Sequence, residues 1–381
     1  IIDAKGWDSR NISEPTNEVT VRGPREGFTE TLRVNTSLLR RKIRDPNLTF
    51  ETVKLGERTQ THVSIVYLND LTNPKIVETL KERLKTIQID GILDSGYIDE
   101  FIEDAPYSIF STISRSERPD TVASKILEGR VAILVDGTPI ALTVPMLFIE
   151  SFQSPEDYYS RSYYSSMVRM IRFVSFFISI LAPGIYIAIT TFHQEMIPTP
   201  LLITMVESRA GVPFPAFLEC LVMVLSFEIL KEAGIRLPRS VGQAVSIVGA
   251  LVIGESAVSA GLIGEPMVIV IAVTAIASFV IPDLSDISGI LRLIFIGLAG
   301  LAGAYGIILG LLGMTIHLIN LESFGAPFLS PLIPLDLQGM KDAFDRFPLW
   351  TFNRRPKALK AQDTMRQKFW KGTKQNFQNK Q

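Results

Sequence analysis

Acidic side chains lie inside lipid-compatible stretches of the sequence, and three of them, Glu219, Glu228 and Glu255, could carry chemistry there. A central charge in a membrane helix costs roughly 2.5–3.5 kcal/mol on insertion scales, so an acid kept there points to ion passage, proton transfer or pairing. Glu255 is the sharpest of the three. On a helical wheel it shares a face with Val248, Leu251, Val258, Ser259 and Leu262. The opposite face, with Gly242, Ser246, Gly249, Ala250, Ala257, Ala260 and Gly264, is small and permits close helix approach. Repeated around an axis in an oligomer, Glu255 makes an acidic ring with apolar residues above and below. Acidic rings select cations, and hydrophobic constrictions gate by dewetting. The competing reading is a structural carboxylate paired with an arginine, or one lying nearer the membrane interface. Glu219 and Glu228 are nine residues apart, hence on opposite faces of an ideal helix. A second stripe of small residues includes Ala299, Ala302, Gly303, Gly306, Gly310 and Gly313. It suits close packing against a neighbouring helix, with a pore-lining role as the alternative.

Other chemistries find little support. The chain has no G-x-x-x-x-G-K-[ST] loop, no G-x-S-x-G elbow and no H-E-x-x-H pair, so an enzyme is not expected. The single Cys220 forbids an intramolecular disulfide, and His62, His193 and His317 are scattered, so neither a metal site nor a cofactor is expected. The formal charge of −1 gives no hint of nucleic-acid binding. The basic run Arg354, Arg355, Lys357, Lys360, Arg366, Lys368, Lys371 and Lys374 fits a cytoplasmic tail beside a membrane helix.

The elements that must position these residues fall into two halves. The fold class expected is α+β: a soluble, two-lobed α/β domain over residues 1–150, an interfacial connector over 151–168, a polytopic α-helical membrane domain over 169–321 with four to six helical segments, and a basic cytoplasmic tail over 322–381. In the first half, the residues from Thr29 to Arg44 have a helical pattern, stopped at Asp45-Pro46. His62–Leu68 alternates as a strand, and Asn73-Pro74 opens a helix to about Thr86. A short helix follows at Pro119–Glu128. Strands Arg130–Val135 and Pro139–Val144 are joined by the hairpin signal Asp136-Gly137. Tyr158, Tyr159, Tyr163 and Tyr164 suit a membrane–water interface.

Membrane spans are expected at about Phe173–Phe192, kinked at Pro183-Gly184, at Ser240–Leu262 and at Pro266–Ile281. Gly289–Leu321 is either one tilted span or a broken pair. Residues 213–235 are apolar but charged, and suit the interface or burial among partners. Arg169, Arg172 and the basic tail all favour the cytoplasm, so the number of crossings should be even, four or six. No signal peptide is read at the start, and the first membrane helix would serve as the insertion signal.

Two long stretches carry a resemblance. VRGPREGF (Val21–Phe28) with ETLRVNTSLLRRKIRDPNL (Glu30–Leu48) forms the first. The second is Val206–Ile263, with the ordered blocks VPFP, FEILKEAG, RLP and VGALVIGESAV. Together with DGTPIALTVP (Asp136–Pro145), they resemble the GerA-type spore germination receptor A-subunit family, which has the stage V sporulation AF protein as a close relative. The resemblance implies a multipass protein of the spore inner membrane that works with a transporter-like B subunit and a lipoprotein C subunit. It implies a homo-oligomer, as a pentamer, forming a ligand-gated channel that releases monovalent cations to start germination. An AF-type accessory channel amplifying ion release, a secondary transporter and a non-conducting scaffold are the alternatives.

Overall fold

The computed structural model describes residues 12–15, 18, 20–237 and 254–367. The chain divides into two units: Ile1–Met170 with Leu318–Gln381, and Ile171–His317.

The first unit is built on one sheet. Its strands are β1 (Leu48–Leu55), β2 (Thr61–Leu68), β3 (Ser114–Ser116), β4 (Val131–Val135) and β5 (Ala141–Val144), in the order β1-β2-β4-β5-β3 with every neighbour antiparallel. Successive residues of a strand face opposite sides, and the central strands use both. Val63, Ile65, Val131 and Ile133 pack on α2 (Pro74–Thr86) and α3 (Ser95–Ile102), meeting Leu80, Leu84, Ile98 and Ile102. Val66, Leu68, Ala132 and Leu134 pack on α1 (Leu32–Lys42) and α4 (Pro119–Ile126), meeting Leu38, Leu39, Val122 and Ile126. Each Val, Ile or Leu among them contributes about 1.5–3 kcal/mol on full burial. The expected two lobes are therefore corrected to one sheet between two helical layers. The strand β1 that completes it pairs with β2 along its whole length but reads as polar, because an edge strand keeps Glu51, Thr52 and Lys54 on partly solvated positions.

Local chemistry sets the ends of these elements. Asn73 caps α2 by accepting from Lys75 N at 3.2 Å, with Pro74 in the first turn. Asp136 and Gly137 form the turn between β4 and β5, where Val131 faces Val144. Gly137 adopts φ 94°, a conformation glycine takes without strain. The turn also holds α1: Asp136 Oδ1 accepts from Leu32 N at 3.0 Å, and Gly137 N donates to Glu30 O at 2.7 Å.

Residues 322–367, expected as a tail, are part of this unit. Phe328, Leu359 and Ala361 are buried. Ser323 Oγ donates to Thr112 O at 2.7 Å, and Gln362 Nε2 donates to Thr72 O at 2.7 Å. The expected interfacial connector is also drawn in. In α5 (Glu156–Tyr159), Tyr158 donates to Asp342 Oδ2 at 2.9 Å and Tyr159 to Asp120 Oδ2 at 2.6 Å. Arg169, in α6 ahead of Phe173, is buried between Asp157 (3.2 Å) and Asp342 (3.0 Å). Only Tyr163 and Tyr164 of the four tyrosines are exposed.

The second unit is helical. Its elements are α6 (Ser162–Thr191, which begins in the first unit), α7 (Thr199–Arg209), α8 (Ala216–Arg236), a helical turn over 254–259, α9 (Glu265–Phe279) and α10 (Ser285–Asn320). Among the described residues, Ser162–Thr191 and Pro282–Asn320 are long and apolar enough to cross a membrane. The second of these is not one rod. Gly303 inside α10 has φ 59° and ψ −139°, far from helical values. Beyond it the chain doubles back. A methyl placed on Gly310 would lie 2.8 Å from Phe295 Cε1 and 2.7 Å from Leu298 Cδ1. In a straight helix residues 295 and 310 would be about 22 Å apart. Residues 289–321 are therefore a broken pair, a helical hairpin that reverses at Gly303.

Candidate functional site: the acidic residues of the helical unit

α8 carries two of the three acids, and each meets a different arginine. Glu219 is fully buried. Its Oε1 accepts from Arg209 Nη2 at 2.8 Å, and its Oε2 accepts from Gly264 N at 3.1 Å. Arg209 ends α7, and Gly264 N precedes α9, so one carboxylate ties three elements together. The Tyr186 hydroxyl and Arg209 Nε are buried here without hydrogen-bond partners.

Glu228 lies on the other side of α8. Arg292 Nη1 reaches its Oε1 at 2.8 Å, and Lys231 Nζ stands 3.7 Å from its Oε2. Arg292 is almost fully buried and sits 5.8 Å over the Phe227 ring. Its Nε donates to Ser179 O at 2.8 Å. That carbonyl lies four residues before Pro183, which has no N–H to give it. At the next position, Gly184, a methyl would stand 3.2 Å from the Phe295 carbonyl, so the two backbones run close where the arginine enters. Burying two charges is favourable only when geometry and hydrogen bonds are good; here Arg292 Nε has a carbonyl, Nη1 a carboxylate and the guanidinium a ring.

Glu255 differs. It lies in the helical turn 254–259, is exposed, and makes no ion pair or hydrogen bond with the described residues. Of its expected companions, Val258 and Ser259 share that turn. The helix ends there. Gly261 turns the chain at φ 67°, so Leu262 leaves the face that the wheel assigned it. Val248 and Leu251 lie outside the described residues. Within the second stripe, Gly303 is the break itself and Gly306 meets the Leu298 carbonyl. Gly310 meets Phe295, while Gly313 has open space around it. No group of three or more histidine, cysteine or acidic residues suited to a metal occurs among the described residues.

The acids stand out in the sequence, whereas their pairing with Arg209 and Arg292 emerges only from the fold. Arg292 had a usable signal: it is the one Lys or Arg between Gly289 and Leu321. Arg209 had none, because it ends a short helix and its contact with Glu219 is tertiary.

The chain matches the family model described as Bacillus/Clostridium GerA spore germination protein over residues 1–358. It is 50% identical to spore germination protein KA of Bacillus subtilis over 369 residues, 96% of this chain and 68% of that protein. It is 47% identical to the uncharacterized membrane protein YfkQ of Bacillus subtilis, covering 93% of this chain and 70% of that one. Spore germination protein GerLA of Bacillus cereus is 42% identical, covering 96% of this chain and 74% of its own length. A solved N-terminal domain, from the A subunit of the Bacillus megaterium spore germinant receptor GerK3, is 47% identical and covers 32% of this chain and 97% of its own, with a TM-score of 0.27. With the matched motifs running through both units, the chain belongs to the GerA family of spore germination proteins.

Proposed function

We propose that this protein is a germinant-receptor A subunit that forms an oligomeric, ligand-gated cation channel in the spore inner membrane. One observation carries the reading. Of the acids in apolar sequence, Glu219, Glu228 and Glu232 are each paired with an arginine of their own chain, and Glu255 is exposed with no partner among the described residues. An exposed carboxylate in such a place is worth keeping only for an ion or another subunit. Copies around an axis would bring the Glu255 side chains into one ring, and opening would release monovalent cations. The same pairing weakens the scaffold reading, because Glu219 and Glu228 are satisfied within the chain and are not left over for contacts between subunits.

The topology is consistent with this reading. The first unit holds both the residues before Ile171 and those after His317, so if it stays on one side, the intervening residues cross the bilayer an even number of times. A transporter-like B subunit and a lipoprotein C subunit complete the proposed receptor, with the B subunit receiving the nutrient.

The test is Glu255→Gln, reconstituted in liposomes and compared with the wild-type protein for potassium flux and for oligomer mass. The expected result is an intact ring with flux reduced severalfold and weaker preference for cations. Unchanged flux from an intact ring removes Glu255 from the pathway. A stable monomer removes the ring.

A further inference from the structure

The first unit carries two complementary surfaces on opposite faces of its sheet. One is centred on α3. Leu93, Tyr97, Phe101 and Tyr107 are 69%, 40%, 50% and 100% exposed. Tyr97 and Phe101 are four residues apart and share a helix face. The buried side of the same helix, Ile98 and Ile102, is already used in the core. Residues 86–114 contain Asp90, Asp94, Asp99, Glu100, Glu103 and Asp104 and no lysine or arginine. Asp99 is taken by Arg115 and Asp104 by Arg83, while Asp90 and Glu100 are exposed beside the apolar residues.

The other surface is the outer side of α1. Residues 31–44 contain Arg33, Arg40, Arg41, Lys42 and Arg44 and no acid. Glu26 answers Arg41 and Lys42. Arg33, Ser37 and Arg40 are exposed and fall on one side of the helix, with Arg44 just beyond its end. Arg40 lies 4.6 Å over the Phe50 ring, which extends this surface with an aromatic edge.

We infer that the apolar, acid-rimmed face of α3 docks on the basic face of α1 in the next copy of this chain. The two surfaces belong to opposite helical layers, since α3 packs on one face of the sheet and α1 on the other. A contact between them is therefore head-to-tail. Each copy presents an exposed α1 surface at one end and an exposed α3 surface at the other, the arrangement that generates rings when the rotation closes. Opposite charge fixes the register and disfavours α3 meeting α3. The apolar side chains supply the area removed from water. This inference rests on the ring proposed above and gives that ring an interface outside the membrane.

Cysteine cross-linking of the full-length chain in membranes tests it. Ser37→Cys and Glu100→Cys are exposed, mild substitutions, and the native Cys220 is buried in the helical unit. With both cysteines in one chain, a short bis-maleimide should give a ladder up to the ring size. Chains carrying only one of them should not cross-link alone, and a mixture of the two single variants should stop at dimers. Adding Glu100→Arg to a chain with Ser37→Cys and Leu93→Cys should weaken its ladder, and further adding Arg40→Glu should restore it. A dimer from Glu100→Cys alone overturns the head-to-tail contact. An intact ring by native mass with no cross-link in any combination overturns this interface and leaves the ring standing. A monomer with no cross-link overturns both.

Discussion

Arg292 supplies the hydrogen bond that Pro183 cannot. Proline lacks an N–H, so the Ser179 carbonyl four residues earlier has no helical donor, and Arg292 Nε donates to it at 2.8 Å from α10. A proline in a spanning helix is tolerated where a neighbour re-satisfies the freed carbonyl. Here the neighbour is a charged side chain, held in turn by Glu228. Proline, arginine and acid form one unit across α6, α10 and α8.

Pro183 and Arg292 should therefore be coupled. Arg292→Met is expected to destabilise the protein strongly in the Pro183 background. In a Pro183→Ala background, which returns an N–H to Ser179 O, it should cost about 1 kcal/mol less, the net worth of one hydrogen bond. A thermal-stability cycle in detergent measures the coupling; purely additive effects would contradict the relationship.

Gly303 should resist substitution and Gly313 should not. Gly303→Ala forces a side chain into a sparsely populated backbone conformation, costing about 1–3 kcal/mol. It also places a methyl 2.9 Å from Phe192 Cβ. Gly313 has nothing within 4 Å, so Gly313→Ala should be neutral. Melting temperatures of the two variants decide this, and equal losses at both sites would argue against a hairpin that reverses at residue 303.

Asp136 joins the hairpin turn to α1. Asp136→Ala removes the acceptor for Leu32 N and should cost about 1 kcal/mol, the usual worth of a helix cap. Asp136→Asn should recover most of it. Denaturant midpoints with unchanged slopes are the readout; no loss in the alanine variant would show that the contact carries no energy.

Acid should loosen the first unit through Glu150. Burial alone pushes this carboxyl up, but Arg130 and Lys125 beside it, with a hydrogen bond from Leu147 N, more than offset that and hold it below the usual carboxylate range. A lowered acid stabilises the fold above its unfolded value, about 4.3, and that stability is lost as pH falls through the folded value. Unfolding midpoints measured from pH 7 down to pH 3 should fall steeply below about pH 4.3. Glu150→Gln should flatten the lower part of that curve, and an unchanged slope would assign the acid sensitivity elsewhere.

Much of the first unit is legible in the chain. The strand at 61–68, the helix opened by Asn73-Pro74 and the turn at Asp136-Gly137 appear within a residue or so of where their patterns put them. Those signals are local: alternation, a proline in the first helical turn, a glycine with positive φ. The strands β1 and β3 and the helix α3 were not legible. β1 is amphipathic only with β2 beside it, β3 is three residues long, and α3 is short and carries apolar residues on both faces. The partners of Tyr158, Tyr159 and Arg169 were not legible for the same reason. Their acid partners Asp342 and Asp120 are distant in sequence, so an interfacial composition and a buried polar network look alike.

By itself the sequence determined the division into a water-compatible and a lipid-compatible half, the absence of the enzyme motifs sought, and the family. Hydropathy and ordered motifs are properties of the chain as a line. Only the tertiary structure decided which acids are neutralised. Glu228 meets Arg292 from 64 positions away, and Glu219 meets Gly264 N from 45. It also decided that residues 289–321 fold back at Gly303 and that residues 322–367 belong with the sheet. The physical reason is the same in each case. The worth of a buried charge, and the direction of a chain after a glycine, depend on what stands within a few ångströms in space, and spacing along the sequence does not specify that.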